Sequence, residues 1–389
     1  EALSSVAERL GWDQETVMPR GAVEQRAEEM AAMESVLHER RTDPRIGEWL
    51  DLAEPRTEAE ARSVELIARD FSRANRIPAK LAQELARLTS LSQGIWAEAR
   101  AKDAPEDFLP TLDQVLVLKR DEAAALADGG DPYDALLDDY EQGMTGAEIA
   151  ALFDSMRPRL VALREEVLGA AFQPKPLSGH FPQETQIRLA RICATAFGYD
   201  WTRGRMDIAV HPFSSGRWQD SRITTRVVET DPFNCIYSTI HEVGHSSYEL
   251  GIDPDYAFTP LGRGVSMGVH ESQSRIYENQ MGRGRAFTGW LFGRMSDAFD
   301  GPNGLAFSPD ESRLYVAETG DQTRPDPAQI LRVFDLASDG RSVEHMRDFA
   351  KVSPGYTDGM AIDEDGDVWS SAGDGVHCLS PEGELLGRI

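Results

Sequence analysis

The stretch Ile240-His241-Glu242-Val243-Gly244-His245-Ser246 sets two histidines four residues apart around a glutamate. On a helix, positions i and i+4 lie on one face about a turn apart. Two imidazoles so placed hold one zinc ion, and a glutamate beside the first faces the metal's water as general base. Glu242 takes that part here. Five residues with three fixed also recur by chance on exposed helices, so the surroundings must decide.

A catalytic zinc takes three protein ligands and leaves a place for water. The third ligand must come from beyond His245. The metzincin pattern requires Gly at 248 and His at 251, and Tyr248 and Gly251 rule it out. Further on, His270-Glu271-Ser272-Gln273-Ser274-Arg275 offers Glu271, 26 residues past His245. A turn through Gly251-Ile252-Asp253-Pro254 lets that second helix fold back on the first. Glu271 is the leading third ligand, with Glu249, His270 and Glu278 as alternatives.

The elements that must position these groups are mostly helical. From residue 1 to about 200, Val23, Ala27, Met30, Glu34 and Leu37 are typical: steps of three and four, mostly apolar, among Glu and Arg. Thr57-x-x-Glu60 and Thr145-x-x-Glu148 read as capping boxes. Further helices are expected at about 77–103, 107–126, 182–198, 233–250 and 266–294. Turns at Asp43-Pro44, Ala104-Pro105, Gly129-Gly130-Asp131-Pro132 and Gln173-Pro174-Lys175-Pro176 separate the early ones. Trp12, Trp49 and Trp96 are expected in the core. Between the helical stretches, Met206–Val210 and Arg222–Val228 are β-branched and alternating, hence strands. A hairpin through the Gly216 loop is expected to join them beside the metal helix, and its free edge suits an extended peptide.

The bulk composition bounds the function. Residues number 389, of which 41% are hydrophobic and 27% charged, which describes a globular protein of two domains. No run approaches the apolar length of a membrane span. The net charge of −26 argues against nucleic acid and anionic membranes as partners. Cysteine is sparse (Cys193, Cys235 and Cys378), which suits a reducing, cytoplasmic setting. The chain opens inside a helical pattern at Glu1-Ala2-Leu3, with neither a signal peptide nor an initiator Met, as a fragment or trimmed product would.

After about residue 295 the texture changes to Gly-, Asp- and Pro-rich turns with short alternating strands. Residues 297–389 carry 19 acidic and 7 basic residues, net −12. They also repeat: Asn303-Gly304-Leu305-Ala306-Phe307 parallels Asp358-Gly359-Met360-Ala361-Ile362 at an offset of 55 residues. That period suits a four-stranded propeller blade plus a loop. The expected organisation is a mostly α zinc domain over 1–295, of the HExxH zincin type, followed by an all-β partial propeller of about two blades over 296–389.

Several segments now resemble one family. HEVGHSSYELG, HESQSRIYENQMGR, HPFSSG, DSRITTR, YDALLDDYE and the opening LGWDQETVMPRGAVEQRAEEMAAMESVLHERRTDP are similar to the thermostable carboxypeptidase Taq family of metallocarboxypeptidases, in order over about residues 1–295. The resemblance implies a helical catalytic domain with a deep groove, a homodimer, and removal of C-terminal amino acids from peptides with little side-chain selectivity. It implies His241, His245 and Glu271 as ligands of zinc (Co2+ being an alternative metal), Glu242 as base, and His211 of H-P-F along the groove. Asp138, Asp139 and Glu141 match a family signature for which a helix N-cap or structural ion pair is the competing explanation. An exopeptidase must also bind a free carboxylate, for which a bidentate Arg is suited. Arg222, Arg226, Arg263 and Arg275 are available, and spacing does not choose among them. Arg222 and Arg275 are carried forward with His211 as substrate-binding candidates.

The family's later motifs, I-R-x-x-A-D, G-Y-F-P and G-x-x-Q-D-x-H-W, do not occur here. Instead PNGLAFSPDESRLYVAET and TDGMAIDEDGDVWSSAGDGVHCLSPEGELLGRI resemble the gluconolactonase/regucalcin propellers, in which the positions of Asn303 and Asp358 bind a divalent metal. That family's third ligand comes from a first blade with no match here, so both residues read as turn residues. Three functions compete: a zinc metallocarboxypeptidase, active or impaired by the missing segment; a zinc-binding but inactive chimera; and, last, a lactone hydrolase run by the tail.

Overall fold

Thr57 and Thr145 start helices as their spacing predicts. Each hydroxyl accepts from the amide three residues on, and Glu60 and Glu148 return the bond to the Thr amides. The computed structural model describes residues 1–174, 180–298, 302–319, 329–336 and 343–389, so Lys175 and Pro176 of the expected turn lie outside the described residues. Two compact units divide at Gly284/Arg285, ahead of the compositional change near 295. Among the described residues no helix is long and apolar enough to cross a membrane.

The first unit opens with α1 (Ala2–Thr16), α2 (Val23–Arg41), α3 (Pro44–Leu52), α4 (Glu58–Arg76) and α5 (Ala79–Lys102). Then come α6 (Leu109–Ala127), α7 (Pro132–Leu137), α8 (Gly146–Leu168) and α9 (Gln183–Ala196). Ala27 and Leu37 of α2 and Ala82, Leu85 and Leu88 of α5 are buried in its helical core. Gln14 of α1 and Ser90 of α5 exchange two hydrogen bonds of 2.7 Å. Trp12 is buried, but Trp49 is 60% exposed, against expectation. In α3 the inward side belongs to Ile46, Gly47 and Leu50, which turns Trp49 outward under the Arg45 guanidinium, 5.6 Å from its ring.

A three-stranded sheet follows, in the order β1 (Met206–Ile208), β3 (Asp220–Thr225), β2 (Ser214–Arg217). The expected hairpin is corrected in its pairing. β1 runs parallel to β3, and the Gly216 segment is itself a strand, antiparallel to β3. Trp218 and Gln219 make the tight turn, with Trp218 at φ 58°. The central strand β3 packs on the metal-site helix, α10 (Pro232–Gly251): Thr239 Oγ1 lies 2.9 Å from Thr225 Oγ1, and Ser221 Oγ 2.8 Å from Ser246 Oγ. The helix expected over 266–294 is interrupted. α11 (Met267–Arg275) passes into a π-helical turn, Ile276–Met281, before α12 (Arg285–Ala298).

The second unit holds two antiparallel four-stranded meanders. The first is β4 (Pro302–Phe307), β5 (Arg313–Glu318), β6 (Ile330–Leu336) and β7 (Val343–Lys351). The second is β8 (Met360–Ile362), β9 (Val368–Ala372), β10 (Gly375–Leu379) and β11 (Leu385–Arg388). Tyr315, Ala317, Leu331, Val333, Val352, Val368 and Leu379 form their shared buried cluster. The two copies of the repeat touch at Gly304, where a Cβ would stand 2.4 Å from the Asp358 carbonyl oxygen. Glycine is required by that approach.

Candidate metal centre

α10 starts with Asp231, whose carboxylate accepts from the Phe233 amide at 3.1 Å, and with Pro232 in the first turn. Its apolar stripe, including Ile236, Ile240 and Val243, is fully buried. The opposite stripe places His241, Glu242, His245 and Glu249 along a cavity of about 1250 Å³. α11 then crosses α10 at Gly244. A Cβ there would lie 2.6 Å from Ser274 Cα and 3.1 Å from Gln273 O, backbone atoms that no rotamer change can move. Glycine inside the H-E-x-x-H pattern thus admits the helix that carries Glu271.

The result is a convergent donor set. His241 Nε2 and His245 Nε2 stand 3.2 Å apart, and Glu271 Oε2 is 3.6 Å from the first and 3.1 Å from the second. Donors bound tetrahedrally at about 2.0–2.1 Å from zinc stand about 3.3–3.4 Å apart, so the three atoms fit such an ion. Among the described residues this is the one gathering of His, Cys, Asp and Glu ligand atoms within 4.8 Å of one another.

Partners behind the ring fix the tautomers. His241 Nδ1–H donates to Glu278 Oε2 at 3.0 Å. His245 Nδ1–H donates to His270 Nδ1 at 2.6 Å, and His270 Nε2–H to Glu249 Oε1 at 2.8 Å. Both histidines then present an Nε2 lone pair to the same point, as metal-binding imidazoles with outer hydrogen-bond partners do. Burial, followed by the neighbouring His270 and His241, lowers His245 to about 4, which keeps it neutral and able to coordinate. Burial pushes the Glu278 carboxyl up, but the hydrogen bonds from His241 and Arg283 and the charge of Arg275 outweigh it and hold it low. The alternatives weighed for the third ligand, Glu249, His270 and Glu278, therefore stand one layer back. The π-helical turn that holds Glu278 had no signature in the sequence.

Glu242 is 5% exposed, and its Oε2 has no hydrogen-bond partner. Burial, then the charges of Glu271 and Glu278, raise it to about 8. A divalent cation held nearby opposes that shift. An orphaned, buried carboxylate oxygen beside two lone-pair-presenting imidazoles is what a base for a bound water requires.

The other candidates divide. His211 lines the same cavity, on the segment between β1 and β2. Arg275 is there too, donating to Glu271 Oε1 and Glu278 Oε2, each at 2.9 Å. Arg222 does not reach it: its guanidinium lies over Trp12 at 4.2 Å and pairs with Asp220, facing a separate cavity. Alternation along β3 sends Ile223 to the core and Arg222 to the other side. Arg263, also lining the metal cavity, is taken by Asp70 at 3.0 Å and by Glu1 at 3.1 Å. In the second unit, Asp358 is exposed, its amide held by Ser371 Oγ at 2.8 Å, and the Asn303 side chain lies outside the described residues.

Gly244→Ala tests the crossing. Overpacking against backbone is expected to cost about 1–3 kcal/mol and to weaken metal binding by moving α11. Urea midpoints and chelator competition would show it. Unchanged values for both would mean that α11 can shift without consequence.

Comparison with known proteins gives the family. Residues 1–309 match the family model described as Carboxypeptidase Taq (M32) metallopeptidase, and residues 267–389 that of the SMP-30/Gluconolactonase/LRE-like region. Thermostable carboxypeptidase 1 of Thermus thermophilus is 41% identical over 317 residues, covering 76% of this chain and 62% of that protein. The solved structure of BsuCP superposes with a TM-score of 0.73 at 32% identity, covering 76% of this chain and 61% of that one. An M32 carboxypeptidase structure from Deinococcus radiodurans R1 gives 0.67 at 39% identity, with the same coverage. In the second unit, the gluconolactonase of Zymomonas mobilis is 39% identical over 95 residues, 23% of this chain and 25% of that protein. The chain spans about three fifths of the carboxypeptidases it matches. By the extent of the match and the site it contains, the chain belongs to the carboxypeptidase Taq (M32) metallopeptidase family.

Proposed function

We propose that this chain is a zinc-dependent carboxypeptidase that removes C-terminal amino acids from peptides. The observation that carries this is the convergence of the His241, His245 and Glu271 ligand atoms beside the unpartnered Glu242 Oε2. Zinc in such a site polarises the scissile carbonyl and acidifies a bound water. Glu242 accepts the water proton and returns it to the leaving amine. Among the described residues the outer edge of β2 pairs with no strand, and β2 lines the cavity, so an extended peptide has a backbone to pair with. A homodimer belongs to the same reading, as the resemblance implies.

Arg226 is our choice for the substrate's carboxylate. It lines the cavity and donates only to the Asn234 amide oxygen, at 3.2 Å, with no carboxylate partner among the described residues. Arg275 and Arg263 are already neutralised. Charge-assisted hydrogen bonds of about 1.5–3 kcal/mol imply that Arg226→Met loses about 10- to 100-fold in kcat/KM on free peptides. C-terminally amidated peptides should not register the change. Equal losses on both would remove Arg226 from this role.

A second reading, metal binding without turnover, is favoured by the family match ending at residue 309 while the matched relatives are considerably longer. α8 also has no buried residue, and Leu152, Met156, Leu160 and Val167 lie open to solvent. Metal analysis paired with an amino-acid release assay separates the two: bound zinc without release supports the second. We read the second unit as two propeller blades without lactonase activity. Lactone hydrolysis that survives Glu242→Gln would reverse that.

A further inference from the structure

The loop between α7 and α8, Asp138-Asp139-Tyr140-Glu141, supplies no atom to the metal triad, yet it holds the helix that carries Glu271. The Tyr140 carbonyl accepts from the Met267 amide at 2.8 Å, and Glu141 Oε2 accepts from the Gly268 amide at 3.0 Å. Ser266 Oγ accepts from the Val269 amide at 3.2 Å. A helix leaves its first amides without partners inside the helix. In α11 the first three are met in turn, two of them by this loop, 127 residues away in the chain for the Glu141 bond. Gly268 permits the approach, since a Cβ there would stand 2.6 Å from Glu141 Oε2. The carboxylate also faces the positive end of the helix dipole.

The other side of the loop is anchored to α4. Asp138 Oδ2 accepts from Arg69 at 2.7 Å and Arg73 at 3.2 Å, its Oδ1 accepts from the Gly143 amide at 2.9 Å, and Arg73 also pairs with Asp139 at 2.7 Å. Burial alone would raise Asp138, but these bonds and charges outweigh it and hold it below the usual carboxylate range. Asp70, between the two arginines on α4, takes Arg263, three residues ahead of the α11 cap. One helix thus fixes the start of α11 by two arms. Glu271 lies a single turn beyond Gly268, so an axial shift of that first turn becomes a shift of its carboxylate.

We infer that the Asp138–Glu141 loop is a positioning device for the third metal ligand, with Glu141 as the residue that sets where α11 begins. The inference rests on reading His241, His245 and Glu271 as metal ligands. Its test compares Glu141→Ala, which removes the acceptor, with Glu141→Gln, which keeps an oxygen at the same reach and removes the charge. Three measurements are needed: hydrogen exchange of the α11 amides in metal-free protein, Zn2+ affinity by chelator competition, and the visible spectrum of Co2+-loaded protein. Glu141→Ala is expected to speed exchange in the first turn of α11, weaken zinc by roughly 10–100-fold, as loss of an outer partner does, and alter the Co2+ bands. Glu141→Gln should recover most of all three. Unchanged exchange in Glu141→Ala, or lowered thermal stability with parental zinc affinity and Co2+ spectrum, overturns the inference. Failure of the parent to release amino acids counts against the proposed function alone, because none of these measurements reads turnover.

Discussion

Glu242→Gln is expected to lose about 10²–10⁴-fold in amino-acid release, the range that a positioned proton carrier contributes, while keeping its metal. The amide fills the same volume but takes no proton from water, and the three ligand atoms belong to other residues. Stability should move in the opposite direction. With its carboxyl raised from an ordinary 4.5 to about 8, Glu242 in metal-free protein carries a proton at neutral pH. A raised folded-state value favours the fold fully below 4.5 and loses that contribution as pH climbs through 8. At roughly 1.4 kcal/mol per unit the effect is several kcal/mol. Metal-free parent protein should therefore weaken between about pH 4.5 and 8, and the Gln variant should weaken less over that window. Peptide assays with metal analysis, and melting temperatures against pH after chelation, check the two halves. A metal-loaded Glu242→Gln of parental activity would exclude Glu242 as base.

Much of this was legible in the chain because local rules decided it. The two Thr capping boxes form as spaced, and the i, i+4 histidines share a helix face whatever surrounds them. The turn through Gly251-Ile252-Asp253-Pro254 signalled that the helix carrying Glu271 could fold back on α10, and Glu271 Oε2 does stand near both imidazoles. What was not legible depends on long-range choices. β1 pairs with β3 in parallel while β2 takes the antiparallel side, and no hairpin signal records that. Trp49 is exposed because Gly47, not the indole, takes the inward side of α3; a Cβ there would lie 3.5 Å from Phe71. Arg222 and Arg226 differ by four residues in one segment, yet only the second reaches the metal cavity. The Asp138–Glu141 signature read as a helix cap or structural ion pair, and it makes both, but the sequence could not name its partners, since Met267 and Gly268 lie more than 120 residues on.

Glu271→Ala is expected to weaken metal binding by more than the roughly 10–100-fold that an outer-layer partner commands. It removes one of three converging donors and leaves two imidazoles 3.2 Å apart to hold the ion alone. Glu278→Gln is the informative companion. Its amide oxygen still accepts from His241 Nδ1–H, so the tautomer is kept, while the charge shared by Arg275 and Arg283 is lost. Its loss should stay within the outer-layer range. Proton release on metal binding adds an independent reading. Glu271 is the first charge, after burial itself, that raises Glu242, so Glu271→Ala should lower the proton affinity of Glu242 and shift the metal-free stability curve to lower pH. Chelator competition at several pH values measures both quantities together. Should Glu278→Gln lose metal while Glu271→Ala retains it, the third ligand is Glu278 and α11 presents the wrong carboxylate for this assignment. Should both bind as the parent does, the two histidines recruit a donor from elsewhere in the cavity. The 3.1 and 3.6 Å separations from Glu271 Oε2 to the two imidazole nitrogens argue for the first ranking, because Glu278 meets the ring only through the outward nitrogen of His241.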